Sequence, residues 1–347
     1  MSHRISVLAI LLCVMAVLSV GCRREAPEPA VEPTGPGPVA QTEPKYNIAL
    51  IPKGTAHTFW ESVHAGGDAA GEELGAEISW NGPAVETDIE GQKRIVENFI
   101  TSDVDALVLA ACDASALIPT LKEARDKGIP VVTIDSGIAD DELPVTFVAT
   151  DNVAGAEVAA RHLAELVGDE GEVGCIPFIK GALSSDQREQ GFCQEIAKHP
   201  NITLLPLLYS SSDVEKGQQV VENMLAANPN IKGIFAANEP AGVAAARVLE
   251  ERGLAGKVRL VSFDASDAEI AALERGSIQA LVAQNPFRMG YDGVTAAVKA
   301  IEGEPVEKRI DTGVTIITTE NLNSPEVRKV LYSAQKESEA PSEDDEQ

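Results

Sequence analysis

Seven times along this chain, a short apolar strand leads directly into polar residues and then into a helical pattern. The carboxyl ends of parallel strands meet at one edge of an open sheet, and ligands bind in the crevice beyond that edge. The Asp, Asn, Arg and Gln side chains at these positions suit a small polyhydroxylated molecule better than a catalytic reaction. The seven segments are IALIPKGTAHTFW (48–60), VVTIDS (131–136), TFVATDN (146–152), GALSSDQREQGF (181–192), IFAANE (234–239), VSFDAS (261–266) and LVAQNP (281–286).

Strands and helical stretches alternate from residue 47 onward, up to a strand-like segment at 308–318. The strands are continuously apolar, which is typical of strands that helices cover on both faces. This pattern predicts an α/β fold. About ten strands exceed one comfortable sheet, so two sheets of five or six strands are expected. Asp213 and Ser266 occupy predicted helix N-cap positions, and Ser266 has capping-box spacing to Glu269.

Length and charge narrow the function classes. A chain of 347 residues favours two domains over one. The formal net charge of −26 argues against nucleic acid as a partner, because an acidic surface repels phosphates. No DNA-reading helix-turn-helix precedes the α/β pattern either.

The N-terminus has the anatomy of a signal peptide, predicted at residues 1–22. His3 and Arg4 precede an apolar run at 5–20, which is shorter than the ~20 residues of a membrane-spanning helix. The run ends in small residues before Cys22 and resembles a bacterial lipobox, although Ser19 replaces the usual leucine. We expect lipid attachment at Cys22; plain secretion and a retained membrane anchor remain alternatives.

Two further segments flank the predicted folded part of the chain. Residues 23–44 contain six of the chain's 20 prolines and predict an extended tether. Residues 332–347 are predicted to be an acidic disordered tail, since 336–347 holds six acidic residues against one lysine. Of the cysteines in the folded part, Cys112, Cys175 and Cys193, at least one must be free, and a bridge between the last two stays open.

From about residue 45 to 331 the chain resembles the ribose-type periplasmic sugar-binding proteins, the solute receptors of ABC importers. The seven segments stand in the family's order and spacing. The resemblance implies two doubly wound parallel-sheet lobes joined by a three-segment hinge, with crossings near Thr150, Gln284 and Gly313. The first lobe would then comprise 45–150 with 285–313, and the second 151–284 with 314–331.

The resemblance also implies a set of ligand-binding residues. Their chemistry suits a sugar, because carboxylates accept from adjacent hydroxyls, Arg188 offers paired donors, and aromatic rings stack on C–H faces. Each has a simpler interpretation, namely helix capping for the aspartates, core packing for the rings and a salt bridge for Arg188. For Asn238 and Gln284 the simpler interpretation is a backbone role. The residues are His57, Phe59, Trp60, Asp135, Arg188, Asn238, Asp264 and Gln284.

Three departures from the family pattern argue against ribose as the ligand. Ser136 stands where ribose receptors have an arginine, Ser212 replaces an aromatic residue, and Lys53 replaces a small polar residue. Lys53 and Ser136 are therefore additional candidate ligand-binding residues.

Catalysis and metal binding have weaker support. His57, Glu61 and His64 could share one helix face, yet His57 lies at the very start of that helix, so no metal site is predicted. No nucleophile motif or phosphate-binding loop occurs, so we expect neither an enzyme nor a cofactor.

The sequence thus predicts a monomeric, lipid-anchored receptor in the periplasm or at the cell surface. It would bind a small sugar and deliver it to an ABC permease and its ATPase. A lipid-anchored sensor for a chemoreceptor or sensor kinase is the main alternative. A glycosidase is a weaker one, which would use Asp135 and Asp264.

Overall fold

Strands and helices alternate throughout the part of the chain that the computed structural model describes, residues 44–331. The predicted α/β fold is thereby confirmed. The predicted signal peptide, Cys22, nearly all of the tether and the acidic tail lie outside the described residues. No helix within 44–331 is long and apolar enough to span a membrane.

The strands form two six-stranded sheets, one for each predicted lobe. The strands are β1 (Tyr46–Ile51), β2 (Ala76–Trp80), β3 (Ala106–Leu109), β4 (Val131–Ile134), β5 (Thr146–Ala149), β6 (Gly171–Ile176), β7 (Ile202–Leu204), β8 (Ile231–Ala236), β9 (Arg259–Phe263), β10 (Ala280–Ala283), β11 (Arg309–Asp311) and β12 (Thr315–Ile317). The first lobe has the order β11-β5-β4-β3-β1-β2 and the second the order β12-β10-β9-β8-β6-β7.

Helices cover both faces of each sheet. They are α1 (Thr58–Leu74), α2 (Ile89–Thr101), α3 (Ile118–Asp126), α4 (Asn152–Val167), α5 (Leu183–Ile196), α6 (Val214–Ala227), α7 (Glu239–Glu251), α8 (Asp267–Glu274), α9 (Pro286–Glu302) and α10 (Pro325–Leu331). Helices α1, α2, α3 and α9 pack in the first lobe, and the others in the second.

Strand β1 explains why the strand sequences are continuously apolar. Ile48 and Leu50 belong to the core cluster on one face of the first sheet, and Ala49 and Ile51 to the cluster on the other. All four side chains are fully buried. Successive strand residues point to opposite faces, so both must be apolar when helices cover both sides.

The chain passes between the two sheets three times, after Ala149, after Ala283 and between β11 and β12. The strand-like segment at 308–318 forms two short strands in different sheets, β11 and β12, which lie on either side of Gly313. The two predicted parallel-sheet lobes are confirmed, with one antiparallel pair at a sheet edge, where β12 pairs with β10. Strand β11 ends at the cleft edge, and a link of residues 312–314 delivers the chain to the cleft edge of the second sheet. From there β12 must run opposite to its neighbours.

Two predicted helix starts are confirmed. Asp213 accepts from the Lys216 N–H at 2.7 Å, and Ser266 and Glu269 form a reciprocal capping box. Strand β7 is short and ends two residues before Pro206, which has no N–H to give to a sheet.

Helices α1 and α9 touch through two glycines. A Cβ atom on Gly66 would lie 1.9 Å from the Phe287 carbonyl oxygen, and one on Gly290 would lie 1.9 Å from that of Val63. The two backbones therefore approach more closely than side chains allow. This contact holds the start of α1, with Phe59 and Trp60, at the cleft.

Candidate functional site

The polar residues that follow the carboxyl ends of the strands in both sheets face one another across a single cleft. All eight residues implied by the resemblance line it, together with Lys53, although they come from separate loops of two lobes. Ser136 does not line it. The lining residues are Lys53, His57, Phe59, Trp60, Glu86, Asp135, Phe178, Arg188, Asn238, Glu239, Pro240, Asp264 and Gln284.

Two aspartates are presented to the cleft by an unusual backbone conformation. Asp135 follows β4 with φ 53°, and Asp264 follows β9 with φ 83°. Their N–H groups bond to the Val148 and Val282 carbonyls of the neighbouring strands, both at 3.0 Å. A left-handed conformation at a residue other than glycine costs energy and recurs at functional sites. Neither residue is the N-cap of the helix that follows it.

Lys53 lies inside the cleft with only 4% of its surface exposed. Its Nζ is 3.1 Å from Asp135 Oδ2 and 3.9 Å from Glu86 Oε2. It also donates to Ser184 Oγ of the second lobe at 3.2 Å. Burial disfavours its charge, but Asp135 and Glu86 outweigh burial and raise the pKa of Lys53. Lys53 is therefore a buried cation that touches both lobes.

Glu86 was missed by the sequence analysis. It lies in the loop between β2 and α2, is 6% exposed, and accepts from Trp60 Nε1 at 3.0 Å. Burial favours the neutral acid, but Lys53 and His57 outweigh burial and lower the pKa of Glu86. The one available signal was its place after a parallel strand, because every such loop opens on the same sheet edge.

Arg188 is buried, not part of a surface salt bridge. It donates from Nε to Asn152 Oδ1 and from a terminal nitrogen to the Ala237 carbonyl, both at 2.8 Å. Its guanidinium carbon lies 3.8 Å from the ring centroid of Phe263. Burial lowers the pKa of Arg188, while Asp264 and Asp135 favour its charged form. The group is thus fixed by hydrogen bonds and by ring stacking.

Amide side chains complete the wall of the second lobe. Gln284 Nε2 donates to Asp264 Oδ1 at 2.6 Å, while its own Oε1 is buried and has no hydrogen-bond partner among the described residues. Asn238 donates to Ser212 Oγ at 2.9 Å and also caps α7 through Ala241. An unpaired buried acceptor is costly. A ligand hydroxyl would satisfy the one on Gln284.

The aromatic residues have two roles. Trp60 is 2% exposed and packs in the core of the first lobe, yet it also lines the cleft. Phe59 meets it edge to face, with ring centroids 5.0 Å apart. Phe178 lies on the opposite wall, 5.0 Å from Lys53 Nζ. Core packing and cleft lining are compatible here, because each of these rings packs in or against a core cluster and also borders the cleft.

Ser136 lies behind the cleft wall. It is fully buried, and its Oγ accepts from the Ser184 N–H at 3.4 Å. A second contact between the lobes lies nearby, where the Ala114 N–H donates to the Gly181 carbonyl at 2.9 Å. The lobes are therefore in contact around the cleft.

Little space is left inside the cleft. Its volume is about 20 Å³, roughly what one water molecule needs. A larger cavity of about 380 Å³ adjoins it past Phe59, Glu239 and Asp264. No group of three or more His, Cys, Asp or Glu residues that could hold a metal ion occurs within 44–331. The cleft as it stands is too small for a sugar-sized ligand.

Comparisons with known proteins agree with this geometry. A family model described as a periplasmic binding protein domain matches residues 48–305. The D-ribose/D-allose-binding protein of Pseudomonas aeruginosa is 32% identical over 317 residues, which cover 89% of this chain and 97% of that relative. The ribose import binding protein of Escherichia coli is 28% identical, over 79% of this chain and 90% of its own.

Solved structures extend the comparison. An ABC transporter solute binding protein from Agrobacterium vitis with bound D-fucose is 38% identical with a TM-score of 0.80, and the match covers 82% of this chain and 100% of that one. A second protein from the same organism, bound with alpha-D-tagatopyranose, is 35% identical with a TM-score of 0.80, over 82% and 99%.

Proposed function

Because the chain belongs to the periplasmic binding protein family, we propose that it binds a small sugar between its lobes and delivers it to an ABC importer. One observation carries this proposal: polar and aromatic side chains of both lobes converge on one nearly closed cleft. The relatives support it, since the Escherichia coli protein is a ribose import binding protein and the Agrobacterium vitis protein has bound D-fucose.

Different side chains of the cleft contact different parts of the sugar. Asp135 and Asp264 accept hydrogen bonds from sugar hydroxyls, and Arg188 and Lys53 donate to them. Asn238 and Gln284 donate and accept at once, which matches a hydroxyl that does both. Phe59, Trp60 and Phe178 cover the apolar C–H faces of the ring. His57 completes the set at the start of α1.

Lys53 replaces part of what the family pattern provides elsewhere. Its ammonium lies against Asp135 at 3.1 Å, beside the position where ribose receptors carry an arginine and this chain has Ser136. Glu86 adds an acceptor to the same wall. The donor and acceptor set therefore differs from that of a ribose receptor, and we expect a preference for a different pentose, hexose or deoxysugar.

Binding proceeds by hinge closure. Three chain crossings join the lobes, which permits a clam-shell motion that surrounds the ligand. We expect micromolar affinity or tighter, about −8 kcal/mol or better. The test is a titration with pentoses, hexoses and deoxysugars, including ribose, allose, tagatose and fucose, followed by Trp60 fluorescence. Trp80→Phe isolates the Trp60 signal. Silence of a folded protein across this panel would contradict the proposal.

The competing activities have less support. The relatives named above are sugar-binding transport proteins, so we propose a receptor and not an enzyme. Their import role also disfavours a sensor for a chemoreceptor or sensor kinase. Incubating the protein with the sugar it binds should leave that sugar unchanged, as chromatography would reveal.

Anchoring is proposed from the sequence alone. Cys22 would carry lipid after removal of the signal peptide, and residues 23–44 would hold a monomeric body near a membrane facing the periplasm or exterior. Fractionation of cells that express Cys22→Ser should then move the protein into the soluble exported fraction. Continued membrane association would mean that residues 5–20 remain as an anchor.

A further inference from the structure

The N-terminus of helix α1 has no capping hydrogen bond from its own N-cap side chain. His57 is its N-cap, with extended backbone (φ −113°, ψ 144°), and its side chain makes no capping hydrogen bond. Helices α3 and α5 likewise lack a capping side chain, whereas α2, α4, α6, α7, α8 and α9 each have an N-cap side chain that accepts from the first turn. The first N–H groups of a helix need acceptors. The start of α1 is also where Phe59 and Trp60 meet the cleft.

The missing acceptor comes from the other lobe. Glu239 Oε1 accepts from the Thr58 hydroxyl at 3.2 Å, and its carboxyl also accepts from the Phe59 backbone N–H. Glu239 is the first residue of α7 in the second lobe, whereas Thr58 and Phe59 form the first turn of α1 in the first. We propose that Glu239 caps α1 across the cleft and so couples lobe closure to the protonation of one carboxyl group.

The main chain of Glu239 is fixed independently of this contact. Its N–H donates to Asp264 Oδ2 at 2.8 Å, and Asn238 Oδ1 caps α7 through the Ala241 N–H. Only the side chain reaches across. When the lobes separate, Glu239 stays on the second lobe, and the first turn of α1 loses its acceptor. The cap therefore exists only in the closed form and contributes only to closure.

Acidic neighbours make this contact sensitive to pH. Burial and the charge of Asp264 raise the pKa of Glu239 from 4.5 to about 7 in the closed form, while the bonds from Thr58 and Phe59 oppose the shift. Other charged or titratable groups also face the two cavities that Glu239 borders. These are Lys53, His57, Glu61, Glu86, Asp135, Arg188 and Asp267.

The sign of the effect follows from linkage. In an open form Glu239 is no longer buried against the first lobe, although Asp264 stays beside it, so its pKa falls back toward 4.5 and closure takes up a proton below pH 7. Closure is therefore strengthened as the pH falls through 7 and weakened as it rises. From pH 8 to pH 6, sugar affinity should increase by up to about tenfold.

The inference rests on the proposed function only for its affinity readout. The first experiment compares wild type, Glu239→Gln and Glu239→Ala for binding of the tightest sugar of the panel at pH 8 and pH 6. Gln keeps a neutral acceptor, so Glu239→Gln should show no pH slope and should bind at pH 8 about as tightly as wild type at pH 6. Glu239→Ala leaves Thr58 and Phe59 uncapped and should bind about fivefold more weakly than Glu239→Gln at both pH values.

His57 is the competing titratable group and supplies the control. His57→Gln should change the affinity yet retain the pH slope. A slope that persists in Glu239→Gln, or one that vanishes in His57→Gln, would overturn the proposal. A wild type without any slope would overturn it as well.

A second measurement needs no sugar and separates this inference from the proposed function. The distance between spin labels on the two lobes, recorded without ligand at pH 8 and pH 6, should shift toward the closed value at pH 6 in wild type. It should not shift in Glu239→Gln. Thr58→Val should reduce closure in wild type and have a smaller effect in Glu239→Ala, because both variants break one contact. Additive effects would contradict the cap.

Discussion

The two walls of the cleft differ in how their polar side chains are held. On the second lobe, Arg188 is held by Asn152 and the Ala237 carbonyl, and Asp264 by Gln284 and the Glu239 N–H. These partners lie on the same wall or in the crossing segment. The second wall is therefore organised before any ligand arrives.

On the first lobe the charges are held mainly by one another. Lys53 lies between Asp135 and Glu86, and it also contacts Ser184 and the Phe178 ring of the opposite lobe. The two ion pairs lie within the first lobe, whereas the Ser184 contact forms only when the lobes meet, and the cleft beside them has a volume of about 20 Å³. The wall of the second lobe thus presents fixed polar groups to a ligand. On the wall of the first lobe, ligand hydroxyls must replace some of the ion-pair contacts among Lys53, Asp135 and Glu86.

The largest effect should come from breaking the first wall. Lys53→Met leaves Asp135 and Glu86 as uncompensated buried carboxylates, so we expect the free energy of unfolding to fall by about 3–5 kcal/mol. Urea denaturation followed by circular dichroism measures the loss. Adding Asp135→Asn should restore part of it. Equal stability of the single and double variants would mean that the ion pair is not what holds this wall.

The effects of Asp264→Ala and Asp135→Ala on sugar affinity compare the two walls of the cleft. Asp264→Ala removes a charged acceptor from the fixed wall and should cost about 1.5–3 kcal/mol, or roughly 10- to 150-fold in affinity. Asp135→Ala should also weaken binding severely, but less, because it frees Lys53 to donate to the sugar. Asp267→Ala, an exposed change after the same strand, is the control. Normal binding by either cleft variant would remove that aspartate from the site.

Arg188→Lys tests whether the wall of the second lobe needs the paired donors of the guanidinium group or only its positive charge. A lysine keeps the charge but reaches only one of the two acceptors at 2.8 Å. We expect a loss of about 1 kcal/mol in sugar binding, measured by calorimetry. An unchanged affinity would mean that charge alone matters at this position.

Ser136→Ala should have the smallest effect. Its hydroxyl lies behind the first wall and accepts one long bond at 3.4 Å. Sugar affinity should change by no more than about 0.5 kcal/mol. A large loss would return Ser136 to the ligand-binding set.

Much of this architecture could be predicted from the sequence, because local rules determine it. Continuous apolar strands predicted coverage on both faces, and polar residues at the strand ends predicted a common edge. The direction of β12 could not be predicted, since it depends on where β11 delivers the chain. Ser136 was a candidate because it stands where ribose receptors have an arginine, yet its side chain points away from the cleft that Asp135 lines.

Glu86 and Lys53 show a second limit of the sequence. Glu86 lies within a loop whose path, not its sequence pattern, brings it to Trp60. Lys53 was a candidate, but its contact with Asp135 joins two loops that are distant in sequence, and its contact with Ser184 depends on the approach of the two lobes. Contacts between distant segments carry no local signal, so electrostatic compensation inside the cleft emerges only from the fold.

The central claim is that a sugar closes two lobes around itself. The distance between spin labels at Asp141 of the first lobe and Lys180 of the second, both exposed, tests it most directly. A processed chain carrying Cys193→Ser suits the labelling, because Cys112 and Cys175 are buried. We expect a broad distribution with a long-distance component without sugar, and a single shorter distance with it. An identical distribution with and without a bound sugar would contradict closure.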